Sequence, residues 1–295
     1  MRASHTKQFD RRLFIFGIFL LLLALGTVDG PRGDASWRLV ITEQMLAFGR
    51  LHLPQWQPGL VQTPSGWTSY FAIGQTLLFI PFKVAGKIMS VLRLPALPSF
   101  PITYLYCPLI GAAYFLALLA LLEAFGLSAR TAGVASLVFT FSSLSAYYTA
   151  QSFQEEAIAS ILVCLSLRAA LLWRRYPERR YAFQAGLFGA SILLFRQIGI
   201  FALIPVAVLF AQGLSAADAK LFRARETVTA GLLGALGPAA IHAIFAYLRF
   251  GNPYRSYCSG GSHFGFDHRL GALRAQPQST FANRTVLVYK SPTCG

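Results

Sequence analysis

Acid is scarce in this chain: 11 Asp and Glu stand against 26 Lys and Arg in 295 residues. A basic excess points to nucleic acid only when it lines one solvated face. Here the basic residues fall between apolar runs, so nucleic-acid binding is set aside and they read as topology signals. The 4 cysteines show no metal-ligand spacing, which excludes a zinc module and a secreted disulfide framework. Cys107 and Cys164 lie inside apolar runs as packing residues, while Cys258 and Cys294 fall in the tail. Glycine-rich phosphate loops are missing as well, since GPRGDAS is too short of glycines, and this argues against an ATP- or NAD-driven enzyme. No repeat with a period of roughly 20 to 50 residues appears, which removes solenoids and propellers.

What is there in quantity is hydrophobicity. Apolar residues make up 55% of the chain, charged residues 13%, and mean hydropathy is +0.52, a balance that no soluble domain of this length could carry on its surface. A membrane span needs about 20 mostly apolar residues. Runs at 13–28, 102–125, 131–148, 156–173, 181–195, 197–214 and 227–250 meet or approach that length. The expected fold is all-α, a polytopic transmembrane bundle of about seven spans.

An eighth run, residues 70–92, contains Lys83 and Lys87, each costing about 2.5 to 3.5 kcal/mol at mid-membrane. If it does not cross, the basic loops 126–130, 174–180 (RRYPERR) and 215–226 all share the side of the N-terminus, with its Arg2, Lys7, Arg11 and Arg12. If it crosses, two of those clusters are thrown outside. The positive-inside rule therefore places the N-terminus in the cytoplasm and residues 70–92 in a long first external loop, 29–101, containing amphipathic juxtamembrane helices. Residues 1–28 also fit a signal peptide, but the six later runs favour a retained anchor. The membrane domain is expected over 1–250, with 251–295 an external tail.

This topology gathers the scarce polar groups at one surface. Asp29, Arg32 and Asp34 follow the first run. Gln151, Gln154, Glu155 and Glu156 lie between the third and fourth, Arg196 between the fifth and sixth, and Asn252, Tyr254 and Arg255 after the last. Trp37, Trp56, Trp67 and Tyr70 share the long loop. Such a set suits a lipid-phosphate sugar donor: arginine binds phosphate bidentately, aromatics stack on sugar faces, and a carboxylate takes a proton from an acceptor. Each residue also has a structural reading. Asp34 opens the stretch DASWRLVITEQMLAFG and suits a helix cap above an apolar stripe of Trp37, Val40, Ile41, Met45 and Phe48. Glu155 and Glu156 suit the positive end of a helix dipole, and Arg196 can snorkel from a helix end. His242 reads as a core histidine, and Gly186 with Ala190 as a small-residue pair of the kind found on helix dimer faces.

The segments GDASWRLVITEQMLAFGRLHLP and SYFAIGQTLLFIPFKVAG resemble the first external loop of the polyprenyl-phosphate-sugar-dependent glycosyltransferases of the GT-C superfamily, which include aminoarabinose transferases and protein O-mannosyltransferases. YLRFGNPYRSY is similar to a stretch after a long helix in relatives of that group. The resemblance implies transfer of a monosaccharide from a polyprenyl-phosphate donor to a lipid, glycan or protein acceptor, at the outer face of a bacterial inner membrane. It implies Asp34 as catalytic base or acceptor-orienting acid; the polar cluster itself offers Arg196 as phosphate partner, with Asp29, Arg32, Gln154 and Glu155 supporting substrate. No cofactor is implied, and a divalent cation is compatible but not indicated. Ala35 follows the acid where the family has a second acid, and residues 70–75 replace its Lys-Pro-Pro-Leu or His-Pro-Pro-Leu signature. VLVYKSPTCG reads as the opening of a further membrane segment, so a truncated, inactive homologue is one alternative. A transporter or flippase of a lipid-linked sugar is the other.

Overall fold

A computed structural model of the chain describes residues 17–23, 34–53, 60–63, 66–69, 72–92, 101–142, 153–196, 201–215 and 220–251. All of them lie in one compact unit, Met1–Tyr254. The fold is mostly helical: α1 covers residues 17–23, and α2 (Asp34–Phe48) is followed by two short strands, β1 (Leu60–Thr63) and β2 (Gly66–Ser69). Then come α3 (Gly74–Val91), α4 (Tyr106–Ala124, entered through a π turn at Pro101–Leu105), α5 (Ala129–Phe141) and α6 (Glu155–Arg175). The last helices are α7 (Arg179–Ser191, ending in a 3₁₀ turn at Ile192–Leu194), α8 (Leu203–Ser215) and α9 (Lys220–Phe250).

Three of these are long and apolar enough to cross a membrane, Pro101–Ala124, Glu155–Arg175 and Arg225–Phe250, and Ala129–Phe141 and Leu203–Gly213 are shorter apolar helices. Their outward faces carry uncovered apolar side chains, among them Val134, Val138, Val208, Leu232, Leu236 and Ile244. Water would not tolerate so broad an apolar surface, and the chain is membrane-associated. The runs expected at 131–148 and 197–214 appear as shorter helices, because α5 stops at Phe141 and α8 starts at Leu203. Only residues 17–23 of the first run are described, and the tail from residue 252 lies outside the described residues.

The termini are set by local chemistry. Ser128 caps α5 by accepting from the Thr131 backbone N–H at 3.2 Å, satisfying one of the orphan donors of the first turn. α6 carries Glu155 and Glu156 in its first turn and Arg174 and Arg175 in its last, both matching the helix dipole. Short links between α4 and α5 and between α6 and α7 make these pairs antiparallel neighbours. The starts of α4 and α6 and the ends of α5, α7 and α9 therefore share one end of the bundle. The opposite end carries Arg130, Arg174, Arg175, Arg179 and Arg180, where Arg179 is ion-paired with Glu226 and its pKa is pushed up by that hydrogen bond.

Within a membrane, lipid is as apolar as a leucine side chain, so close backbone approach and packing hold helices together. α7 and α9 show this directly. A Cβ added at Gly186 would strike the backbone of Gly231, and one at Gly234 would strike the backbone of Phe183. Gly186, expected as part of a dimer-type face, is thus used inside the chain. Trp173 of α6 fills the neighbouring space against Phe210, ring centroids 4.7 Å apart.

The long loop holds one element that helical periodicity does not announce. β1 and β2 form an antiparallel hairpin with Leu60 opposite Ser69 and Thr63 opposite Gly66. Its residues fit: Val61, Thr63, Trp67 and Thr68 are β-branched or aromatic, and Pro64, Ser65 and Gly66 are turn formers. Gly66 has φ +130°, a conformation open to glycine. Leu53 pairs with Trp67 on the outer edge through N–H to carbonyl bonds of 2.6 and 3.1 Å.

Candidate functional site

α2 buries a stripe of Ala35, Arg38, Ile41 and Thr42, positions i, i+3, i+6 and i+7 on one helix face. This differs from the expected stripe: Ile41 is in it, but Phe48 is 67% exposed and a guanidinium sits at its centre. Arg38 is 4% exposed. A charge in such a place is costly unless paired and hydrogen-bonded, and the fold supplies both. Arg38 Nη2 meets Glu155 Oε2 at 2.9 Å, and Nη1 donates to Gln75 Oε1.

Gln75, itself fully buried, is the hub of this network. Its Nε2 donates to Tyr106 Oη at 3.2 Å and to the Phe153 carbonyl. The Tyr106 ring stacks on Phe153, centroids 5.3 Å apart and planes 10° apart, and receives Phe79 edge-on at 5.0 Å. Thr42 Oγ1 donates to the carbonyls of Arg38 at 2.8 Å and Thr76 at 3.1 Å, tying α2 to α3. Four elements distant in sequence, α2, α3, α4 and α6, thereby meet around one guanidinium at the end of the bundle away from the basic loops.

A second arginine arrives from α9. Arg249 is 7% exposed, and its Nε donates to Thr68 Oγ1 of the hairpin at 3.3 Å. Thr68 in turn donates to the Leu51 carbonyl at 2.9 Å, and the Arg249 carbonyl lies 3.5 Å from His52 Nε2. The core beneath, built from Ala35, Ile73, Phe79, Tyr106, Phe153 and Phe195 among others, also packs Phe245 of α9. Phe245 and Ala35 stand about one turn from Arg249 and Arg38 along their helices.

The expected site residues divide accordingly. Asp34 is the first residue of α2, four positions before Arg38. Glu155 belongs to the buried network. Gln154 takes the N-cap position of α6 with extended backbone and no side-chain cap bond, and its side chain is exposed. Arg196 is ion-paired with Glu156, at 43% and 34% side-chain exposure, and the second Glu156 oxygen is buried without a hydrogen-bond partner among the described residues. Asp29 and Arg32 lie outside the described residues. Among those described, no group of three or more His, Cys, Asp or Glu side chains could hold a metal ion.

Arg38, Gln75, Tyr106 and Arg249 escaped the sequence reading. The available signal was Arg38 and Thr42 falling at i+3 and i+7 from Ala35 in an otherwise apolar stripe, and Gln75 in an apolar run. Comparison with protein-family models, curated proteins and solved structures finds no match to this chain. Fold and site together define a helical membrane-associated protein with a buried, arginine-centred polar network at one end of its bundle.

Proposed function

We propose that this protein is a membrane glycosyltransferase of GT-C type, with about seven spans and its N-terminus in the cytoplasm. It transfers a monosaccharide from a polyprenyl-phosphate donor to a lipid, glycan or protein acceptor at the outer face of the inner membrane. The observation that carries this reading is Arg38: a guanidinium buried at the loop end of the bundle, held by Glu155 and Gln75, one helical turn from the acid Asp34. Buried ionisable groups in membrane proteins are expensive and mark functional sites.

In this reading Asp34 takes the proton from the acceptor hydroxyl or amine as that atom bonds to the anomeric carbon. The bond between the anomeric carbon and the phosphate oxygen breaks, and its electron pair leaves with the polyprenyl phosphate. Arginine positioned before the reaction stabilises that growing negative charge at no reorganisation cost. Glu155 keeps the Arg38 fork fixed. Asp29, Arg32, Gln154 and Arg196 bind substrate in this reading, Asp29 and Arg32 on the sequence alone, and Trp67 offers a sugar-stacking face.

The test is transfer of radiolabelled sugar from polyprenyl-phosphate donors in membranes containing the wild type or Asp34→Asn at equal protein level. A general base is worth about 10² to 10⁴ in rate, so the variant loses at least a hundredfold. Equal transfer by both would remove Asp34 from the chemistry, and donor crossing the bilayer without transfer would point to a flippase.

A further inference from the structure

We propose that the outer face of α3 is an interfacial lipid-binding surface: its apolar stripe lies in the leaflet at the loop end of the bundle, and Lys87, at the edge of that stripe, engages the headgroups of anionic phospholipids. This goes beyond the juxtamembrane placement expected for residues 70–92 by naming the face that meets lipid and the lipid class it selects. It stands whether or not the protein transfers sugar.

The rotation of α3 about its own axis is fixed from inside. Gln75, Thr76, Phe79 and Gly86 are buried, and Lys83 is ion-paired with Glu43 of α2. Val84, Ile88 and Val91 then fall together on the opposite side, at i, i+4 and i+7. They are 40%, 55% and 81% exposed, and Leu92, at 65%, continues the stripe. Water is a poor solvent for such a contiguous apolar face. Nor does the helix cross the bilayer: it carries two lysines and is not among the described helices long and apolar enough to span. Its depth is set by α4. Phe82 meets Tyr106 edge-on, ring centroids 5.3 Å apart, and Tyr106 stands five residues into the span Pro101–Ala124, about 8 Å along its axis. An amphipathic helix lying in the interface buries its apolar face about 5 to 10 Å into the boundary between headgroups and acyl chains, so α3 is at the depth such a helix takes. Lys87 adjoins the stripe and is exposed, with no ion-pair or hydrogen-bond partner among the described residues. From that depth its flexible stem lies along the apolar surface and carries the ammonium out to the headgroup phosphates.

The experiment places a photoreactive benzophenone amino acid in place of Ile88 in the full chain, reconstituted in vesicles of phosphatidylcholine with one quarter phosphatidylglycerol, and identifies the adducts by mass spectrometry. The same amino acid in place of Leu236, on the exposed face of α9, is the control for lipid contact. Val91 is the second labelling position should the first substitution disturb folding. Lipid adducts are expected at both 88 and 236, with phosphatidylglycerol enriched about threefold over its bulk share at 88, as one basic group near an anionic surface implies, and not at 236. Lys87→Gln should return position 88 to the bulk share, while Lys87→Arg keeps the enrichment. Adducts at 88 to a second copy of the chain, or no lipid adduct there while 236 is labelled, overturn the proposal. So do a bulk lipid ratio at 88 in the otherwise native chain and an enrichment that survives Lys87→Gln.

Discussion

Replacing Glu155 with leucine removes the carboxylate that faces Arg38 at 2.9 Å and leaves a guanidinium only 4% exposed. Breaking a buried ion pair from one side costs about 3 to 5 kcal/mol, because an uncompensated charge stays behind. Gln75 still accepts from Nη1, and a hydrogen bond to a charged group contributes about 1.5 to 3 kcal/mol. Glu155 itself keeps 13% exposure, which softens the loss further. The single variant should therefore lose about 3 kcal/mol. Arg38→Met strands the carboxylate instead and should lose a similar amount. The double variant removes both charges and should come back to within about 1.5 kcal/mol of wild type, since apolar replacement of a whole buried pair is often neutral. Unfolding in mixed micelles, followed by helical signal and extrapolated linearly in denaturant, measures all four corners of the cycle. A Glu155→Leu loss below about 1 kcal/mol, or strictly additive single losses, would refute the claim that this pair organises the site.

The half-exposed Arg196–Glu156 pair makes the contrast: Arg196→Gln should cost no more than about 1 kcal/mol in the same titration, as exposed pairs do. Gly234→Val would drive a side chain into the Phe183 backbone and should lower the yield of folded protein in size-exclusion chromatography. Gly231→Ala places its Cβ at an ordinary 3.7 Å from the Ala182 carbonyl and should be neutral, or stabilising by up to about 1 kcal/mol through helix propensity. Gly66→Ala would force a left-handed φ of +130° and set its Cβ 3.1 Å from the Leu53 carbonyl. The strain of about 1 to 3 kcal/mol should open the hairpin, read as faster limited proteolysis between residues 51 and 69.

The bundle was legible because a single physical quantity, a run of apolar residues, decides it. The runs at 102–125, 156–173 and 227–250 correspond to the long helices Pro101–Ala124, Glu155–Arg175 and Arg225–Phe250 within a few residues at each end. Local chemistry also announced the acidic first turn of α6, and the start of α2 near Asp34, which is its first helical residue rather than the cap before it. The site was harder to see because its members acquire meaning only from distant partners. Arg38 looks like the solvated side of an amphipathic helix until Glu155 and Gln75 are beside it, and Arg249 like a snorkelling residue at a helix end until Thr68 reaches it. Gln75, the hub of the network, sits in an apolar run where a single amide gives no sign of its buried partners. The hairpin is short, four residues a strand, so its β pattern is weak against the helical segments on either side.

Turnover of donor decides the central claim. The full chain, reconstituted in liposomes, would be given polyprenyl-phosphate hexose, pentose and aminosugar donors labelled in the sugar, and loss of the lipid-linked label would be followed for wild type and Arg38→Gln. The account predicts that wild type consumes one of these donors and that Arg38→Gln is slowed at least a hundredfold, as when a preorganised charge-stabilising donor is removed. No consumption of any donor by folded wild type, or equal rates for the two proteins, would contradict it.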